Sequence, residues 1–126
     1  MKSSIEQAFG KFLLAFNAMD VESLGQCFAR EITLFAPAGA PSIIEGANEV
    51  LSHFNRVFAE ESSAGPSVRP VDVRIVNLSP DAAAVTFEFA RAAASIGRRT
   101  FIYQRIEDEW KVVHIHASNR ALEDSD

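Results

Sequence analysis

Two histidines and one tyrosine are the residues whose types suit acid–base chemistry here. His114 and His116 stand two apart in the run Trp110-Lys111-Val112-Val113-His114-Ile115-His116-Ala117-Ser118-Asn119. Strand alternation puts Trp110, Val112, His114 and His116 on one face, and Val113, Ile115 and Ala117 on the other. An apolar setting disfavours the charged imidazole. His114 is therefore expected to be neutral at pH 7, offering the donor and acceptor that a general base or a ligand hydroxyl needs. Tyr103 would add a phenol that donates a hydrogen bond. Two histidines at this spacing could grip a metal, but they lack a third ligand, so no metal is expected. The competing reading makes both of them hydrogen-bonded core or rim residues. No nucleophile elbow or phosphate loop occurs, and no cofactor is expected.

The elements that must position these residues are readable in order. Ile5, Phe9, Phe12, Leu13, Phe16 and Met19 fall on one helical stripe. Asp20 suits the N-cap of a second, shorter helix, with Glu22 in its first turn and Val21, Leu24, Cys27 and Phe28 on its buried side. Ile32–Phe35 reads as a short strand, Ala36–Pro41 as a loop and Ser42–Glu45 as a returning strand. Gly46 opens a third helix carrying Ala47, Val50, Leu51, Phe54, Val57 and Phe58, with His53 at the edge of the stripe; Ser62–Pro66 ends it. Val68–Val76, Ala83–Arg91, Thr100–Ile106 and the Trp110 run are then strands, with turns at Leu78–Asp81, Gly97 and Glu107-Asp108. Helices followed by a four-strand antiparallel meander make an α+β fold, helices packed on one face of a bent sheet.

Composition sets the outer limits. The 126 residues suit a single domain spanning 1–126, with 48% apolar and 23% charged residues, as in ordinary globular chains. A net charge of −5 with scattered Arg and Lys argues against nucleic acid as a partner. The single Cys27 excludes an internal disulfide and a cysteine-built zinc cluster. Glu6 and Lys11 interrupt the first apolar stripe, so no signal peptide is expected; no run has transmembrane length, and a cytoplasmic protein without membrane contact is the default.

Met19-Asp20-Val21-Glu22-Ser23-Leu24, then Thr33-Leu34-Phe35-Ala36-Pro37 leading to Ile44-Glu45-Gly46, carry a resemblance. His53-Phe54 and the run from Trp110 to His116 with Ser118 complete it. In their order and spacing the chain resembles the nuclear transport factor 2-like (cystatin-like, SnoaL-like) superfamily. Within it, the chain resembles the association domain of calcium/calmodulin-dependent protein kinase II. The resemblance implies a cone, a curved sheet wrapped around helices with a pocket between them, and a dimer through the sheet's outer face. Some members are isomerases, cyclases, dehydratases or hydrolases; others are binding or assembly modules. The association domain carries arginines at the positions matching Phe89 and Phe101 here, which turns the expectation toward an apolar or aromatic ligand.

Strand pairing gives the expected pocket wall. With Glu107-Asp108 as a two-residue loop, Arg105 pairs with Trp110, Tyr103 with Val112 and Phe101 with His114, and paired residues share a face. Val85, Phe87 and Phe89 join from the neighbouring strand, and Phe12, Phe16, Phe54 and Phe58 from the helices. His114 and Tyr103 are the candidate catalytic pair. Phe16, Phe54, Phe58, Phe87, Phe89, Phe101, Trp110 and His116 are candidate ligand contacts, with Arg91 and Arg105 holding a carboxylate at the mouth. The wall carries no Asp or Glu, so an isomerase using an Asp base is not expected; Asp72 and Glu88 fall on the other face. That other face, with Ile102, Val113, Ile115 and Ala117 beside Ala84 and Ala90, is expected to form a homodimer, Arg74 pairing with Glu88 across it. Three readings stand: a small-molecule-binding protein or enzyme (isomerase, lyase or hydrolase), a non-catalytic association module, or a cone filled by its ten Phe.

Overall fold

The computed structural model describes residues 4–36, 43–60, 68–91 and 95–121. Helix α1 spans Ile5–Asn17 and α2 Val21–Gln26, followed by β1 (Phe28–Phe35), β2 (Ile44–Glu45) and α3 (Ala47–Glu60). Strands β3 (Val71–Ser79), β4 (Ala82–Arg91), β5 (Ser95–Ile106) and β6 (Glu109–Ala121) complete the chain. Ser4 starts α1 with a capping box: its hydroxyl accepts from Gln7 N–H, and its own N–H donates to the Gln7 side chain. Met19 takes a left-handed conformation (φ 54°) between the helices. Asp20 caps α2 as its type suggested, accepting from the Ser23 N–H at 3.1 Å and from the Ser23 hydroxyl at 2.7 Å. Phe28 belongs to β1 rather than to α2. The loop expected at Ala36–Pro41 lies outside the described residues from 37 onward, as do Ser42 and the crossing at Ser62–Pro66.

The six strands form one mixed sheet in the order β2-β1-β6-β5-β4-β3. β1 runs parallel to β6, which joins the early hairpin to the later meander. The helices pack on the sheet's inner face, where Leu24, Ile32, Val50, Val85, Tyr103, Val112 and Ile115 are fully buried. The fold is α+β, with the sheet open rather than closed. No helix among the described residues is long and apolar enough to cross a membrane.

Three local features set which residues face the helices. Glu107 and Asp108 form the β5–β6 turn with φ of 51° and 67°, the primed geometry that matches strand twist, here without glycine. Gly97 lies inside β5 instead of in a turn, paired with Phe89, whose ring rests on it; a Cβ there would meet Phe89 Cζ at 2.5 Å. The third feature is a bulge in β6. Tyr103 pairs with Val112 but Ile102 pairs with His114, so Val113 has no partner. One extra residue reverses the faces of everything after it. Ile115 and Ala117 turn inward, opposite Phe101 and Arg99, and His114 and His116 turn outward.

Candidate functional site

Every phenylalanine except Phe35 joins one network of ring contacts inside the fold. Phe12 meets Phe101 edge-on at 4.7 Å, Phe9 meets Phe87 at 5.0 Å and Phe16 meets Phe58 at 5.3 Å. Phe28 and Phe54 lie 5.8 Å apart, and Phe87 carries the network on to Phe89. Phe87 and Phe101 are buried with Phe54, while Phe16, Phe58 and Phe89 are half-buried at the network's border. The rings expected to line a cavity therefore pack on one another. Six of the expected ligand contacts, Phe16, Phe54, Phe58, Phe87, Phe89 and Phe101, are brought into this network, in tilted and edge-to-face contacts.

His114 and His116 are not part of this wall. The Val113 bulge corrects the pairing of Phe101 with His114: Phe101 lies opposite Ile115. On the outer face, His114 Nδ1 stands 2.7 Å from the Thr33 hydroxyl, and Phe35 sets its ring 5.5 Å from both imidazoles. His114 and Tyr103 thus sit on opposite faces of the sheet. Burial, chiefly, and the neighbouring His116 push the His114 pKa below its ordinary 6.5, and a hydrogen bond with Thr33 works the other way. A histidine depressed in the folded state binds fewer protons there than when unfolded. Its contribution to stability is then present above pH 6.5 and lost as pH falls through the folded value. An NMR titration should find the His114 midpoint below 6.5; a midpoint above it would contradict this environment.

The outer face also holds a cleft of about 530 Å³, bordered by Asp72, Arg74, Glu88, Arg98, Thr100 and His116. Glu88 accepts from Arg98 Nε at 2.7 Å and has Arg120 Nε at 3.7 Å. The Arg98 hydrogen bond, foremost, holds the Glu88 carboxyl below its usual range. Ile102, opposite Ala84 and His114, lies half-buried beside the cleft.

A second cavity, of about 90 Å³, lies where α1 and the end of α2 meet the β5–β6 hairpin. Tyr103 and Trp110, diagonal neighbours on the hairpin's inner face, line it with Cys27 and Lys11. Arg105 pairs with Trp110 as expected and stacks its guanidinium 4.4 Å from the indole centre, held by Asp81 and the Pro80 carbonyl. Arg91 pairs with Ser95 at the end of β4.

Strand parity could have found one residue passed over. Counting back from Tyr103 through Phe101 puts Arg99 on the inner face; it packs its guanidinium 4.9 Å from the Phe89 centroid and donates to the Ser118 carbonyl at 2.8 Å. Cys27 and Lys11 gave no such signal, because their meeting with Tyr103 is tertiary. Among the described residues, no three His, Cys, Asp or Glu side chains form a group able to hold a metal.

The sequence profile of the SnoaL-like domain family matches residues 5–122. A search of the curated proteins found no match. Among solved structures, an NTF2-like protein of unknown function from Pseudomonas putida KT2440 superposes with a TM-score of 0.80 at 19% identity, over 95% of this chain and 92% of that one. A cystatin-like fold protein from Burkholderia xenovorans LB400 gives 0.78 at 22% identity, over 94% and 91%. A candidate calcium/calmodulin-dependent protein kinase type II association domain from Thiobacillus denitrificans ATCC 25259 gives 0.73 at 20% identity, over 98% of both chains. At these identities the likeness is one of fold.

Proposed function

We propose, from the premise that this chain belongs to the SnoaL-like domain family, that it works as an association module pairing with a second copy of itself through the outer sheet face. The observation that supports this reading is the interior: among the described residues, every phenyl ring but that of Phe35 is in contact with another phenyl ring between the helices and the sheet. The alternative is an isomerase, lyase or hydrolase acting on an apolar substrate. It needs an acid and a base on one wall, yet His114 and Tyr103 lie on opposite faces.

The outer face has the makings of a self-complementary surface. It mixes Glu88 and Asp72 with Arg74 and Arg98, so a two-fold axis can set acid against base. Apolar area accompanies the charges: Phe35, Val71 and Val76 are exposed and Ile102 is half-buried. The resemblance in fold to a protein described as an association domain is in keeping with this.

Sedimentation velocity at micromolar concentration should give a dimer. Ile102→Glu should halve the sedimenting mass while the far-ultraviolet circular dichroism is retained, because the charge enters a desolvated contact without touching the core. A monomeric wild-type chain would refute the reading.

A further inference from the structure

We infer that His114 makes the pairing of two copies sensitive to pH, the outer faces separating as the solution turns acidic. This rests on the pairing proposed above and adds to it the group that regulates it. His114 lies on a central strand of that face, opposite Ile102 on β5 and Thr33 on β1, and is already half-buried in the single chain. Thr33 Oγ stands 2.7 Å from its Nδ1 and the Phe35 ring lies edge-on at 5.5 Å, so the imidazole cannot swing out to water without breaking both contacts. A second copy laid over Ile102 and Phe35 removes the water that remains. A neutral imidazole tolerates that loss; a charged one is penalised by it unless an opposite charge is near.

Among the described residues, no acid of the same copy stands beside it. His116, two residues along β6 on the same face, opposes its protonation. Lys111, before the bulge, is engaged by the Gln26 carbonyl and Glu109. On β1 Glu31 is exposed, and on β2 Glu45 lies opposite Thr33, two strand spacings or about 10 Å from His114. Thr100 and Ile102 on β5, Ala84 and Thr86 on β4 and Val76 on β3 are uncharged, with Arg74 beyond Thr86 and Asp72 farther along β3. Glu88 is engaged by Arg98 and Arg120; the Arg98 hydrogen bond, foremost, holds its carboxyl below the ordinary 4.5, so it keeps its charge where a histidine titrates. Burial therefore dominates at His114, as it does in the single chain. The pair binds fewer protons than two separate copies, and association weakens as pH falls.

Sedimentation over a range of concentrations gives the dissociation constant at each pH, with circular dichroism following the fold. The constant should rise at least about tenfold from about pH 7.5 to about pH 5. His114→Gln, which cannot gain the charge, should pair with a constant that moves by under about twofold over the same range. His53→Gln, on α3 away from this face, should keep the rise. A second readout needs no variant: the His114 imidazole, followed by NMR at concentrations above and below the dissociation constant, should titrate at lower pH in the paired state. A monomer at neutral pH would refute the pairing itself, and this inference with it. A pair whose dissociation constant is level across this range, one that tightens in acid, a rise that persists in His114→Gln, or a His114 midpoint unmoved by pairing would leave the pairing standing and overturn the role given to His114.

Discussion

Phe101→Ala should lower stability by about 3–5 kcal/mol in urea unfolding, the full cost of removing a closely packed phenyl ring. Phe101 is 2% exposed and touches Phe9, Phe12, Phe87 and Tyr103, so no wall can collapse inward to fill its place without breaking other ring contacts. Total stability for a domain of this size is about 5–15 kcal/mol, so the variant would stand near the edge of folding. A ring bordering an open, solvated pocket loses far less when truncated. A measured loss under about 1.5 kcal/mol would mean that the interior is hollow, and would return the enzyme reading to consideration.

The second expected result separates adjacent positions on β6. Ile115→Glu should cost more than about 4 kcal/mol, because it forces a carboxylate into the ring network opposite Phe101. His116→Glu, one residue along, should change stability by under about 0.5 kcal/mol, since its side chain is exposed. Uninterrupted alternation from Trp110 would give the reverse order, with His116 inside and Ile115 outside. The two unfolding curves, taken at submicromolar concentration to keep self-association out of the measurement, therefore test the Val113 bulge directly.

Much of the fold was legible because its periodicities are clean. The helical stripe of α1 as far as Phe16, that of α3, the Asp20 cap, the inward set Val85, Phe87 and Phe89, and the Glu107-Asp108 turn all stand where the residues put them; Met19, expected on the α1 stripe, lies past the helix end, left-handed and exposed. Order and spacing of the short motifs also sufficed for the family, which the profile match bears out. The site was less legible, for a specific reason. A bulge adds one residue without changing composition, so Val112-Val113 reads as ordinary strand while it reverses His114 and His116. The same error moved Ile115 and Ala117 from the core to the outer face on paper. Asp72 does likewise on β3: its left-handed φ of 53° leaves Val71 opposite Glu88 on the outside, although Ile75 opposite Val85 faces in. Whether aromatic residues line a space or occupy it is a matter of ring-to-ring distance, which spacing along a chain does not encode.

The Asp72 irregularity has a consequence for how the molecule avoids its own kind. β3 is the longer of the sheet's two edge strands, nine residues, with Val71, Val76 and Leu78 exposed, and such an edge is a template for open-ended addition of strands from other copies. Fibril growth needs an unbroken row of backbone donors and acceptors at constant spacing. The bulge breaks that row near the start of β3, twists the strand locally and sets a carboxylate at the break. The edge-on route, which has no end, is thereby obstructed, and the face-to-face pairing proposed above would be a contact that closes after two.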